Sequence, residues 1–147
     1  MKRLIVVSFL IIIDSLCVSA QDSEVFTTAD GAIKGYDPVA FFTDNKPIKG
    51  APEITYTWNG AIWHFATIKN RDAFAASPEK YAPQFGGYCA YGVSQNHKSP
   101  TDPFAFTLVK DKLYLNYNPK VKELWTKDTT ANIMKAEKNW PGLKNQK

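Results

Sequence analysis

Cysteine and histidine are scarce in this chain of 147 residues: two of each, Cys17 and Cys89 with His64 and His97. A closed structural zinc site takes four ligands that are mostly Cys or His. Beyond residue 20 only Cys89, His64 and His97 remain, so that class is excluded. Arginine is rarer still, with Arg71 alone after residue 20. Bidentate readout of phosphates or bases therefore has little to work with, and no basic stripe with interleaved aromatics replaces it. No nucleic-acid partner is expected. Long apolar runs are also missing. The longest, Leu4 to Ile13, is broken by Asp14 and falls short of the roughly 18 residues that span a bilayer. Paired carboxylates at catalytic spacing, a phosphate-cradling glycine loop and a Ser-centred nucleophile elbow are all absent.

What is present reads first as an address. Lys2 and Arg3, the apolar stretch to Ile13 and the small-residue triplet Val18, Ser19, Ala20 form a secretory signal peptide over residues 1–20. Cys17 invites a lipid anchor, but Asp14, Ser15 and Leu16 before it are not the small residues such a site wants. Cleavage after Ala20 sends a chain of 147 − 20 = 127 residues to the periplasm or the outside, with no stable membrane anchor. At that length about two thirds of the unfolded surface can be buried without staples. Apolar residues at 44% and charged residues at 22% suit one globular domain. The positive charge is a tail effect: residues 110–147 carry nine Lys against four acids, and residues 21–109 carry seven Lys plus Arg against nine acids. A solvated lysine face follows. Removing Cys17 leaves Cys89 as a lone exported thiol, so no disulfide can form within one mature chain.

Residues 21–35 read as an irregular lead-in and 36–143 as the domain. Val39 to Phe42 suits either a buried strand or one helical turn. Asn59-Gly60 predicts a hairpin, because a two-residue turn needs positive φ at both positions. The register pairs Trp58 with Ala61, Tyr56 with Trp63 and Ile54 with Phe65, leaving Thr55, Thr57, Ile62 and His64 on the wetter face. Thr67 caps a helix from Ile68 to about Ala76, and Ser77-Pro78 starts a second, short one. A second hairpin turns at Lys110-Asp111 and pairs Leu108 with Leu113, Phe106 with Leu115 and Phe104 with Tyr117, on a uniformly apolar face. Asn118-Pro119 opens another helix, and Thr130 caps a last one that Pro141-Gly142 ends. The result is an α+β domain: a small antiparallel sheet built from two β-hairpins, covered by short helices. No internal repeat stands out, although the two hairpin-plus-helix halves are loosely alike.

Between the halves, Gly87 to Pro103 loses periodicity, and loops of that length in compact domains tend to carry function. Cys89 sits in it beside Tyr88 and Tyr91. Three readings stay open. An open metal site for copper, zinc or iron would draw on Cys89, His97 and His64, with a carboxylate such as Asp102. A thiol-dependent enzyme would pair Cys89 with one histidine as base. The third uses no special chemistry: Tyr88 and Tyr91 with Cys89 form a pocket for a small apolar or planar ligand, or the domain is a structural or interaction module in which Cys89 is buried and inert.

The stretch Gly35-Tyr36-Asp37-Pro38-Val39-Ala40-Phe41-Phe42, the hairpin around Trp58-Asn59-Gly60 and Trp63-His64-Phe65, Ser77-Pro78-Glu79-Lys80-Tyr81, the block Gly86 to Val93 and the closing Asn139-Trp140-Pro141 together resemble the longer, exported bacterial YHS-domain proteins. The likeness covers nearly the whole mature chain. It implies no assigned activity. The short YHS module accompanies heavy-metal transporters and is taken to bind metal through cysteines just after its hairpin. Those positions fall here at Ala66 and Asn70, so the short-module metal site does not carry over and Cys89 alone remains a candidate.

Overall fold

The computed structural model describes residues 24–146; the leader expected at 1–20, with Cys17, lies outside the described residues. The expected lead-in contributes to the core from its first described residues. Strands β1 (Thr27–Thr28) and β2 (Gly31–Ala32) form a short ladder, with Val25 and Ile33 buried beside it. Asp37 then decides the fate of Val39 to Phe42. Its Oδ1 accepts from the backbone N–H groups of Val39 (2.8 Å) and Ala40 (3.3 Å), which starts helix α1 (Ala40–Thr43) rather than a strand.

Two left-handed dipeptides make the hairpins. Asn59-Gly60 (φ 49° and 72°) joins β3 (Ala51–Trp58) to β4 (Ala61–Phe65). Helices α2 (Ile68–Ala76) and α3 (Pro78–Tyr81) follow. After the short helix α4 (Ala90–Ser94), Lys110-Asp111 (φ 49° and 60°) joins β5 (Asp102–Val109) to β6 (Lys112–Asn116). Helices α5 (Pro119–Lys127) and α6 (Thr129–Leu143) close the chain. The α+β architecture is as the sequence leads one to expect.

The two hairpins are one object built twice. Each has an eight-residue strand, a two-residue turn and a five-residue strand. Each also breaks its ladder at the same place: Ala51 pairs with Phe65 and next Thr55 with His64, while Asp102 pairs with Asn116 and next Phe106 with Leu115. A proline follows the outer pair in both, Pro52 or Pro103, and lacks the N–H that would continue the ladder. The equivalence runs on at a constant spacing of 51 residues (116 − 65, 118 − 67, 125 − 74). It matches the caps Thr67 and Asn118, the nine-residue helices α2 and α5, and the buried rings Phe74 and Trp125. Trp63 on Phe74 and Tyr114 on Trp125 both stack with centroids 5.2 Å apart, at 35° and 38°.

Ahead of the hairpins the spacing is 52 (87 − 35, 89 − 37). Left-handed turns at Ile33–Gly35 (φ 44°, 59°, 74°) and Phe85–Gly87 (φ 56°, 62°, 81°) lead into Gly35-Tyr36-Asp37 and Gly87-Tyr88-Cys89. The two turns lie against each other, and a Cβ on Gly87 would stand 2.6 Å from Ile33 Cγ2. Halves that look loosely alike in sequence are therefore a tandem repeat. Strand β6 joins them: Leu113 and Leu115 enter the core of the first half, and Tyr114 points the other way into the core of the second.

The duplicated bulges correct two expected pairs. Phe65 faces Ala51 rather than Ile54, and Phe104 does not face Tyr117. The second apolar face is not uniform, since Phe104 is 61% and Tyr117 52% exposed. Gly87 to Pro103 is not irregular throughout, because it contains α4. The last helix is capped by Asp128, whose side chain accepts from Ala131 N at 3.0 Å, rather than by Thr130, and it runs past Pro141 to Leu143. Ser77 stands at the start of α3 without a capping bond from its side chain.

Candidate functional site

Cys89 stands at the N-cap of α4, and its side chain accepts from the N–H three residues on, Gly92, as Asp37 accepts from Ala40 N at the start of α1. Cys89 is 1% exposed, and its sulfur is held on several sides. Gly92 N donates to Sγ at 3.4 Å, and the backbone N–H groups of Tyr117 and Tyr91 also face it. The thiol in turn donates to Asn116 Oδ1 at 3.8 Å. Burial pushes the Cys89 thiol up from its ordinary value, against the downward pull of the Gly92, Tyr117 and Tyr91 N–H groups.

The first half shows what this corner looks like when it is filled. Asp37 Oδ2 accepts from Ala66 N and from Asn70 Nδ2, both at 2.8 Å, so the buried carboxylate is saturated by four donors from two elements. In the second half Cys89 replaces Asp37, Tyr117 stands for Ala66 and Val121 for Asn70. No side-chain amide reaches across from α5, and a cleft of about 280 Å³ remains over the sulfur. Its walls are Tyr91, Gly92, His97, Ser99, Tyr117 and Val121.

Of the expected site residues, Cys89, Tyr91 and His97 meet in this cleft. Gly92 makes room for the imidazole: a Cβ there would stand 3.3 Å from His97 Nε2 and 3.4 Å from Ser99 Oγ. Tyr88 turns away into the second core, packing on Phe26 and Trp140 with Lys98 over its ring. His64 lines a separate cleft of about 200 Å³ with Asp30 and Lys49, its Nδ1 3.3 Å from Ala51 O. Asp102 spends Oδ1 on Phe104 N. The full set of Cys89, His97, His64 and a carboxylate thus does not converge. Among the described residues no group of three or more His, Cys, Asp or Glu could hold a metal ion.

Nothing in the sequence taken alone marks Asn116, yet it is fully buried under the cleft. Its Oδ1 accepts from Tyr91 N (3.1 Å) as well as from the thiol. Its Nδ2 is a buried donor with no partner among the described residues. The repeat supplies the missing signal, because the matching residue of the first half is Phe65, equally buried. The chain matches no family model, no curated protein and no solved structure.

Proposed function

We propose that this chain is an exported single-domain binding protein of the YHS type, which holds a metal ion in the cleft over Cys89. The observation that carries the reading is that Cys89 and His97 line one cleft, at the corner where the first half of the repeat is plugged by Asp37 and Asn70. The resemblance adds to it. The positions at which the short module carries cysteines, Ala66 and Asn70, correspond across the repeat to Tyr117 and Val121, two walls of that cleft. A thiolate and an imidazole form a soft pair, which favours copper over zinc and iron by ligand type and by the general affinity order. The enzyme reading fits less well, since the thiol is pushed towards its protonated form and hydrogen-bonds to Asn116.

The test is titration of the chain from Gln21 with copper and zinc against a competing chelator. The double variant Cys89→Asp with Val121→Asn rebuilds the plug of the first half and is expected to fold and to lose copper binding. His97→Ala is expected to weaken binding at least tenfold, and His64→Ala to leave it unchanged. A wild-type chain that takes up neither ion, or a plugged variant that binds as the wild type does, overturns the reading.

A further inference from the structure

One buried residue of the second half makes poor sense as packing. At the position of Asn116 the first half carries Phe65, which fills its core with no polar atom to satisfy. An asparagine there leaves one buried donor, Nδ2, without a partner, a burden of about 1–3 kcal/mol in general. Its orientation is nevertheless fixed. Tyr91 N donates to one carboxamide atom, which must therefore be the oxygen, and that oxygen faces the sulfur of Cys89.

The separation of sulfur and oxygen is informative. Metal–sulfur bonds are about 2.3 Å and metal–oxygen bonds about 2.0–2.2 Å, so a single ion bound to both atoms at 3.8 Å would subtend about 115–124°, nearer the trigonal than the tetrahedral angle. His97 is on the same corner, its Nε2 lying over Gly92, whose N–H donates to the same sulfur.

We infer that Asn116 Oδ1 is a third protein ligand of the metal ion, completing a Cys89–His97–Asn116 set whose fourth position opens into the cleft. The inference rests on the proposed metal-binding reading and adds the residue that sets its geometry and selectivity. Binding exchanges one proton for one metal ion. The S–H bond of Cys89 breaks, its proton passes to solvent, the sulfur bonds the metal through the released electron pair, and Oδ1 trades its thiol donor for the metal. In the metal-free protein the same oxygen keeps the thiol aimed at the site. Thiolate, imidazole and carboxamide together carry a single negative charge, so a carboxylate in place of the amide would strengthen the hold on a divalent ion.

The experiment compares Asn116→Leu and Asn116→Asp with wild type, using Zn(II) for affinity and Co(II) as a spectroscopic stand-in. Asn116→Leu is expected to bind Zn(II) at least tenfold more weakly and to change the cobalt d–d bands while the sulfur-to-cobalt charge-transfer band persists. Asn116→Asp is expected to bind Zn(II) at least tenfold more tightly. The d–d bands separate a lost ligand from a loosened fold, because a merely structural role would leave the coordination spectrum as it was. A folded Asn116→Leu with wild-type affinity and d–d bands overturns the inference. If that variant does not fold, Asn116→Asp decides, and unchanged Zn(II) affinity there overturns it. Metal bound through Cys89 and His97 with no response at Asn116 removes this inference alone, whereas a wild-type chain that binds no metal removes the reading beneath it.

Discussion

Asp37 and Cys89 hold the same post in two copies of one unit, and the surroundings of each show what the post is for. Around Asp37 every lone pair that matters is taken: two N–H groups of its own turn, the N–H after β4 and the amide of Asn70. Around Cys89 the corresponding amide is missing, the acceptor is a weak one, and a buried carboxamide nearby keeps a donor unused. A saturated buried polar group ties elements together, and an unsaturated one in the same frame is where binding chemistry has room.

The largest effect should come from the saturated side. Asp37→Ala strands three backbone N–H groups and the side-chain amide of Asn70, and is expected to destabilise the fold by about 3–5 kcal/mol, read from denaturant unfolding. Cys89→Ala should cost only about 1–2 kcal/mol, as for loss of a small buried group. Equal losses for the two variants would break the comparison.

A smaller effect sharpens it on the second side. Gly92→Ala places a methyl group 3.3 Å from His97 Nε2. The backbone of α4 tolerates alanine, so thermal unfolding should move by no more than a few degrees while copper affinity falls about tenfold, or about 1.4 kcal/mol. Unchanged affinity would mean that His97 does not touch the ion.

The smallest effect is on the pH profile of stability. In the folded protein burial pushes the Cys89 thiol up, and burial and then the carboxylate of Glu137 push Tyr114 up. Both groups hold their protons more firmly folded than unfolded, so their contribution is complete below the ordinary thiol range of about 8.5 and is lost as pH rises beyond it. Unfolding free energy should decline above about pH 8.5, and Cys89→Ala should flatten the first part of that decline, with the tyrosine's share appearing above about pH 10. Identical profiles for the two proteins would show that the sulfur is not shielded in this way.

Both turns were legible, because Asn59-Gly60 and the spacing of apolar residues about Lys110-Asp111 leave few alternatives. The caps Thr67 and Asn118 were legible for the same local reason: a side-chain oxygen sits three residues before an N–H that needs it. The start of α4 was not, since cysteine is a rare cap and gives no such signal. The outer strand pairs were misjudged because a proline disturbs a ladder several residues away from the turn that sets its register. The lead-in reads as irregular because its buried apolar pairs, Val25-Phe26 and Ala32-Ile33, are too short to show a period and find their neighbours only across the fold.

Sequence by itself determined the α+β class, the two hairpins, the helices that follow them and the choice of Cys89 and His97 as residues to explain. Only the tertiary structure decided that the halves repeat, that His64 lies elsewhere and that Asn116 sits beneath the thiol. The physical reason is that turns and caps are fixed by neighbours along the chain. A site is fixed by which atoms are left unpaired once distant segments have packed, and that depends on partners 27 positions apart, as from Cys89 to Asn116.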